Sequence, residues 1–469
     1  MRRTSSIKNV GEEGVLLRNG KYYSLTEIYE SVSVSLFQSQ LHYEIAEYFC
    51  KLRCIRDADI HKVVGNIYAT KSSRIRMITA FVWFVIYYGD EVHKVYVNKD
   101  LSRVIAYKGL EIDGLFCLGD WGRVYVDRGH VKGLLLKGVA NKIFRFLSRK
   151  IPVRSSLVRG WVEVTTAMYN DVMSKAMIRI FPFPFGLKRQ IAFILSCRKR
   201  GLDFSLDGIP YSLLDICMLA FAGDDIDEKI AAIELKANRK YASVLVDAQV
   251  TTVFTSDEFE VASFAIYDEL LKMGSCVVNT AHGIGLYCPN VSYSCFRGFS
   301  IAQSDFYSKS GELFRSEIRS SNNLNLPFSP SDKSVKKRFA VVLVHQNFSD
   351  YQLKGDGKAL FQVAKKLDEL CAFYKLQYFV KLHPNTTARE EMGLPKTRCA
   401  KLVKDWDFID EFYPLFFIIN STAYFDVKNY GSVFVYRGPS FFPETYFGSD
   451  AKFFDVDSLP FVFEDVLGD

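Results

Sequence analysis

The stretch "FAVVLVHQN", residues 339–347, is apolar without alternation until it ends in polar residues. A run of that kind fits a strand covered on both faces, which means a parallel sheet flanked by helices, and its polar end marks where the sheet opens into a loop. The chain beyond it keeps the same character. Residues 356–375 set Leu360, Val363, Leu367, Leu370 and Phe373 at helical spacing, "LQYFVKLHP" reads as a strand, "LFFIINSTAYFDVKNYG" as a strand with a helix behind it, and "SVFVYRGP" as another strand. Strand–helix–strand alternation predicts an open parallel sheet with right-handed crossovers.

A second α/β unit is expected before it. "ASVLVDAQVTTVFTSDE" reads as one or two strands, "FEVASFAIYDELLKMG" as a helix closed by Gly274, and "SCVVNTAHG" as a strand. The two units are separated by "RSSNNLNLPFSPSDKSVKKR", which has no apolar periodicity and reads as a linker. The expected organisation is an N-terminal α/β half over 1–325, a linker at 326–336 and a C-terminal half over 337–469. These are two Rossmann-like domains facing a cleft, with ligands beyond the carboxyl ends of the strands. The first 235 residues are less legible, mixing helical stretches around 26–54 and 211–236 with strand-like ones at 92–108 and 114–127.

Composition narrows the class. The chain has 469 residues, is 49% hydrophobic and 24% charged, and carries a formal net charge of +7, which suits an anionic partner. Its ten cysteines form no CxxC pair and no zinc-site spacing, and no apolar leader opens the chain, so reduced thiols in a cytoplasmic protein are expected. The longest apolar run, "MITAFVWFVIYYG" at 77–89, falls short of the ~20 residues that span a bilayer and reads as a buried strand or helix.

Chemistry concentrates at the predicted strand ends. Lys381 and Leu382 lead into His383 and Pro384, and the proline stops the strand from continuing as a paired ladder. The imidazole is thus presented at a loop, able to meet a phosphate oxygen or a carboxylate. The strand after it ends in Asn420, Ser421 and Thr422 and passes into a helix, whose free N–H groups and hydroxyls form an anion site. Gln346, Asn347 and Ser349 stand at a third strand end. Together these residues predict a nucleotide pocket that has no P-loop.

An HP motif followed by an S/ST motif resembles the donor half of bacterial GT-B glycosyltransferases. It is most similar to those using CMP-activated sugars, the sialyltransferases and Kdo transferases of capsule and lipopolysaccharide synthesis. The resemblance covers roughly residues 240–440, with Ser421-Thr422 where Ser-Ser is common. It implies phosphate contacts from His383, Ser421 and Thr422. It also implies a CMP-sugar donor, an oligosaccharide or lipid-linked glycan acceptor, and no cofactor or metal. The CDP-glycerol and CDP-ribitol phosphotransferases share a similar pair, but show an aromatic residue where Ala281 precedes His282 here. A non-catalytic partner in polysaccharide assembly is a third reading, and nucleotide binding separates it from the other two.

In the N-terminal half such an enzyme needs a base for the acceptor hydroxyl. Asp257 and Glu258 follow Ser256 at a predicted strand end, with Asp247 behind them; helix capping is the competing role. His282, followed by Gly283 and Gly285, sits in a loop that can approach a ligand closely. "GDDID", 223–227, has the look of a metal-binding DxD, but its place between two helical stretches favours capping. Residues 132–154, "KGLLLKGVANKIFRFLSRKIPVR", carry seven Lys/Arg and no acid with Leu, Ile and Phe between, the pattern of a peripheral contact with the inner face of a membrane or of a solvated basic helix. No nucleic-acid-reading motif occurs, and no nucleic-acid partner is expected.

Overall fold

The computed structural model describes residues 13–112, 114–119, 126, 128–148, 156–160, 177–182, 187–310, 312–313, 315–318, 338–346, 354–383, 398–406, 408–409 and 412–467. Three sheets organise them. The first is a small mixed sheet of β1 (Gly14–Leu17), β2 (Tyr22–Ser24), β3 (Val92–Asn98) and β4 (Leu115–Gly119), in the order β2-β1-β3-β4. Helices Gln40–Leu52, Ala58–Lys71 and Ser73–Tyr88 share one hydrophobic core with it. The apolar run at 77–89 belongs to the last of these. Ser72 caps the helix by accepting the Ile75 N–H at 3.2 Å, and Gly89 ends it at φ +42°, a conformation that glycine takes without strain. The strand-like stretch at 92–108 divides into β3 and the helix Lys99–Tyr107.

The second sheet is wholly parallel. Its strands are β5 (Ser156–Gly160), β6 (Met177–Ile180), β7 (Phe204–Leu206), β8 (Thr252–Thr255), β9 (Cys276–Thr280), β11 (Cys295–Gly298) and β13 (Ser316–Ile318), in the order β13-β11-β9-β8-β5-β6-β7. A short parallel pair, β10 (Ser292–Tyr293) with β12 (Glu312–Leu313), lies apart from it. Residues 242–247, expected as a strand, are the end of the long helix Ile226–Asp247, which buries Tyr241, Ala242 and Leu245. Only β8 forms from that stretch.

The third sheet is also wholly parallel: β14 (Arg338–Val344), β15 (Gln377–Lys381), β16 (Ala400–Val403), β17 (Phe412–Ile418), β18 (Ser432–Tyr436) and β19 (Lys452–Phe454), in the order β16-β15-β14-β17-β18-β19. The helix Gly355–Tyr374 covers one face through Leu360, Val363, Leu367 and Cys371. Phe373, expected on that face, is 78% exposed, because the buried stripe continues from Leu367 to Cys371. The linker expected at 326–336 lies outside the described residues.

Both parallel sheets are Rossmann-like and are wound in the same way. Each begins in its middle, adds two strands on one side, then reverses and adds the rest on the other. The reversal leaves a crevice between the first and fourth strands, β5/β8 in one sheet and β14/β17 in the other. The halves face each other across a cleft and touch beside it, where Ile284 and Phe299 pack on Phe425, Tyr446 and Phe447. A strap from the N-terminal layer also joins them. The Ser33 N–H donates to Ser440 Oγ at 2.9 Å, the Val34 N–H to Asp356 Oδ2 at 2.9 Å, and the Phe442 N–H to Ser35 Oγ at 3.0 Å.

Candidate active site

The reversal in the C-terminal sheet opens into a cavity of about 450 Å³ between the halves. Val344, His345 and Gln346 come from the end of β14, Lys381, Leu382 and His383 from the end of β15, and Asn420, Ser421 and Thr422 from the end of β17. The order of the motifs along the chain suggests that the HP and NST strands lie side by side. They are in fact separated by β14: β14 and β17 flank the reversal, and the HP end of β15 reaches the same cavity from one strand further out. Across the cleft, the turn from His282 to Gly285 follows β9, and Val34 and Gln38 reach in from the N-terminal layer.

Lys381 gives this wall its charge. Its ammonium lies 5.0 Å from the centre of the Trp406 ring and donates to the Leu382 carbonyl at 3.0 Å. Burial holds it below the ordinary lysine value, opposed by Asp405. Ser421 Oγ accepts the Ala423 N–H at 3.2 Å, which leaves its hydroxyl proton to donate. The helix that begins there, Ala423–Val427, has only five residues, and Thr422 forms no side-chain cap. Its dipole is correspondingly slight, so the Lys381 ammonium and the hydroxyls matter more than the helix at this end of the cavity. Asn347 and Pro384 lie outside the described residues.

Neither Asp257 nor Glu258 lines the cavity. Asp257 is buried and accepts from the Arg159 guanidinium and the Tyr267 hydroxyl; desolvation raises its carboxyl, with Arg159 opposing. Glu258 is fully buried behind the His282 turn, where Oε1 accepts the His282 N–H at 2.5 Å and Oε2 accepts Asn279 Nδ2 at 3.2 Å. Burial pushes it up to about 7. Instead of serving as a base at the cleft or capping a helix, the two roles expected for them, both carboxylates turn to buried partners: Arg159 and Tyr267 for Asp257, the His282 N–H and Asn279 for Glu258. Asp247 is exposed at the end of its helix and takes no part. His282 does reach the cavity, its ring 5.3 Å from that of Phe259.

The "GDDID" run does open a helix, but not by capping it. Asp225, at the cap position, pairs with Lys229 at 2.9 Å, and buried Asp227 accepts from the Tyr68 hydroxyl at 2.6 Å. Sequence reasoning passed over His345, Trp406, Asp426, Gln38 and Tyr446, all of which line the cavity. For His345 a signal was present: three of the chain's seven histidines, at 282, 345 and 383, stand at this one cleft.

No family model matches the chain, and a search of curated proteins finds no match either. Among solved structures, MurG of Acinetobacter baumannii is similar at 10% identity over 67% of this chain and 90% of its own, with a TM-score of 0.38. A glycosyltransferase of Rickettsia africae is similar at 10% identity over 67% of this chain and 89% of its own, with a TM-score of 0.35. MnaA of S. aureus, in a structure with UDP, is similar at 12% identity over 60% of this chain and 79% of its own, with a TM-score of 0.32.

Proposed function

We infer that the chain is a glycosyltransferase that takes a sugar from a CMP-activated donor, an ulosonic acid such as sialic acid or Kdo, and adds it to a bacterial surface glycan. One observation carries this reading. The HP and NST strand ends of one half and the His282 turn of the other line a single cavity at a strand-order reversal.

In this account His383, Ser421 and Thr422 hold the donor phosphate, with Lys381 supplying positive charge and Gln346 and Asn420 polar contacts beside it. The bond from the anomeric carbon to the phosphate oxygen breaks as a bond from that carbon to the acceptor oxygen forms. Charge developing on the departing CMP meets groups already oriented for it. The acceptor's proton passes to His282, which alone among the N-terminal candidates lines the cavity. No divalent metal is required, so turnover should persist in excess EDTA.

A lipid-linked acceptor would be met through the helix Arg128–Leu147, which contains residues 132–147 of the basic segment. On it Leu136 and Ile143 are each 52% exposed and Phe146 is 89% exposed. Among the described residues no helix is long and apolar enough to cross a membrane.

The test is a thermal-shift panel of CMP, CDP and UDP at millimolar concentration. CMP should raise the melting temperature most. A flat response to all three would remove the enzyme reading, and a preference for CDP would favour a polyol-phosphate transferase.

A further inference from the structure

The turn that carries His282 into the cavity has no helix or strand of its own, yet buried side chains grip it from two sides. On one side lies Glu258, with both carboxylate oxygens engaged, one by the His282 N–H and the other by Asn279. On the other lies Gln303, fully buried on the helix Ile301–Ser310. Its Nε2 donates to the carbonyls of Gly283 at 2.7 Å and Gly285 at 3.1 Å, and its Oε1 accepts the Phe299 N–H at 2.9 Å. The fit is close as well. A Cβ at Gly285 would come within 2.7 Å of Gln38 Nε2, and Gln38 itself accepts the Tyr446 hydroxyl of the opposite half. A polar backbone segment at the wall of a cavity needs partners for its N–H and C=O groups, and here they come from side chains committed to it.

We propose that Glu258 and Gln303 are positioning residues that clamp the His282–Gly285 turn and so fix where the His282 imidazole meets the acceptor hydroxyl. The clamp is a matter of geometry; its catalytic consequence rests on the transferase function proposed for the cavity. Preorganisation of this kind acts on the chemical step, since a misplaced base loses rate without loosening the nucleotide on the other half.

Three variants test it. Glu258→Ala removes both contacts, Glu258→Gln keeps a carbonyl that can accept the His282 N–H, and Gln303→Glu sets a carboxylate against two carbonyl oxygens. Amide hydrogen exchange is read by mass spectrometry over residues 279–288 and over the C-terminal sheet, alongside CMP affinity and transfer kinetics. Exchange over 279–288 should quicken in Glu258→Ala and Gln303→Glu, less in Glu258→Gln, with the C-terminal sheet unchanged. In the same order kcat should fall, by roughly tenfold to a hundredfold at the extreme, with KM for the donor and CMP affinity near wild type.

Unchanged exchange over 279–288 in a folded Glu258→Ala or Gln303→Glu protein overturns the clamp. A loosened turn with undiminished kcat overturns its catalytic role. Should Glu258→Ala not fold, Glu258→Gln and Gln303→Glu decide the matter. Should the wild-type protein bind no nucleotide, it is the transferase reading that fails, and the exchange measurement still decides the clamp.

Discussion

Arg159 closes on Asp257 at the point where the strand order of the N-terminal sheet reverses. The crevice that the C-terminal sheet leaves open is here plugged by a buried ion pair, with the Arg159 guanidinium also 4.8 Å from the Phe181 ring centre. Asp257→Asn would leave Arg159 charged in the interior without its counter-charge. The expected loss is about 3–5 kcal/mol of stability, read as an earlier midpoint in denaturant. Protein that still folds should bind CMP normally. A variant as stable as wild type would show that the pair contributes nothing.

Glu258 links stability to pH. Its folded value, about 7, stands above the ordinary 4.5 because of burial, so its contribution is fully present below about 4.5 and is lost as pH rises through 7. Glu258→Gln cannot ionise. The stability of the variant relative to wild type should therefore improve by on the order of 3 kcal/mol between about pH 4 and pH 8. Denaturation of both proteins at the two pH values checks this. Parallel behaviour would mean that Glu258 ionises at its ordinary value.

His383 lies just beyond β15 and lines the cavity, outside the hydrophobic core. His383→Ala should leave the melting temperature unchanged while lowering transfer at least about a hundredfold, or ~2.7 kcal/mol. Near-normal turnover in the folded variant would remove the HP motif from the mechanism.

Lys381 should make nucleotide binding sensitive to alkali. Burial lowers its value, so the cation is lost at a lower pH than for an exposed lysine, and affinity for an anionic nucleotide should decline as pH rises through that point. Lys381→Met should bind more weakly and lose this dependence. Titrations following tryptophan fluorescence across the alkaline range, with Trp406→Phe as the control for its source, read both, and an identical pH profile in the variant would clear Lys381 of the role.

The C-terminal sheet was legible because β14 and β17 are seven-residue, mostly apolar strands that pass into polar residues, as strands covered on both faces do. The first three strands of the N-terminal sheet were not. They are short, and two carry buried arginines: Arg159 paired with Asp257, and Arg179 paired with Asp207 at 3.1 Å. A charge inside a four- or five-residue strand erases the apolar signal, and only its distant partner explains it. The candidate site divides in the same way. His383, Ser421 and His282 announce themselves by standing at strand ends. Gln303 does not, because its role depends on a turn some twenty residues nearer the N-terminus. That β14 lies between the HP and NST strands is likewise a fact of winding, which the order of residues along the chain does not reveal.

The strap at Ser33–Ser35 has a consequence for biosynthesis. On the ribosome this segment emerges 322 residues before Asp356 and 407 before Ser440, which satisfy its backbone. Until then the N–H groups of Ser33 and Val34 lack the partners they have in the finished protein. The nascent chain therefore carries unpartnered backbone donors in its N-terminal layer until the C-terminal sheet follows, and the two halves are joined there only afterwards.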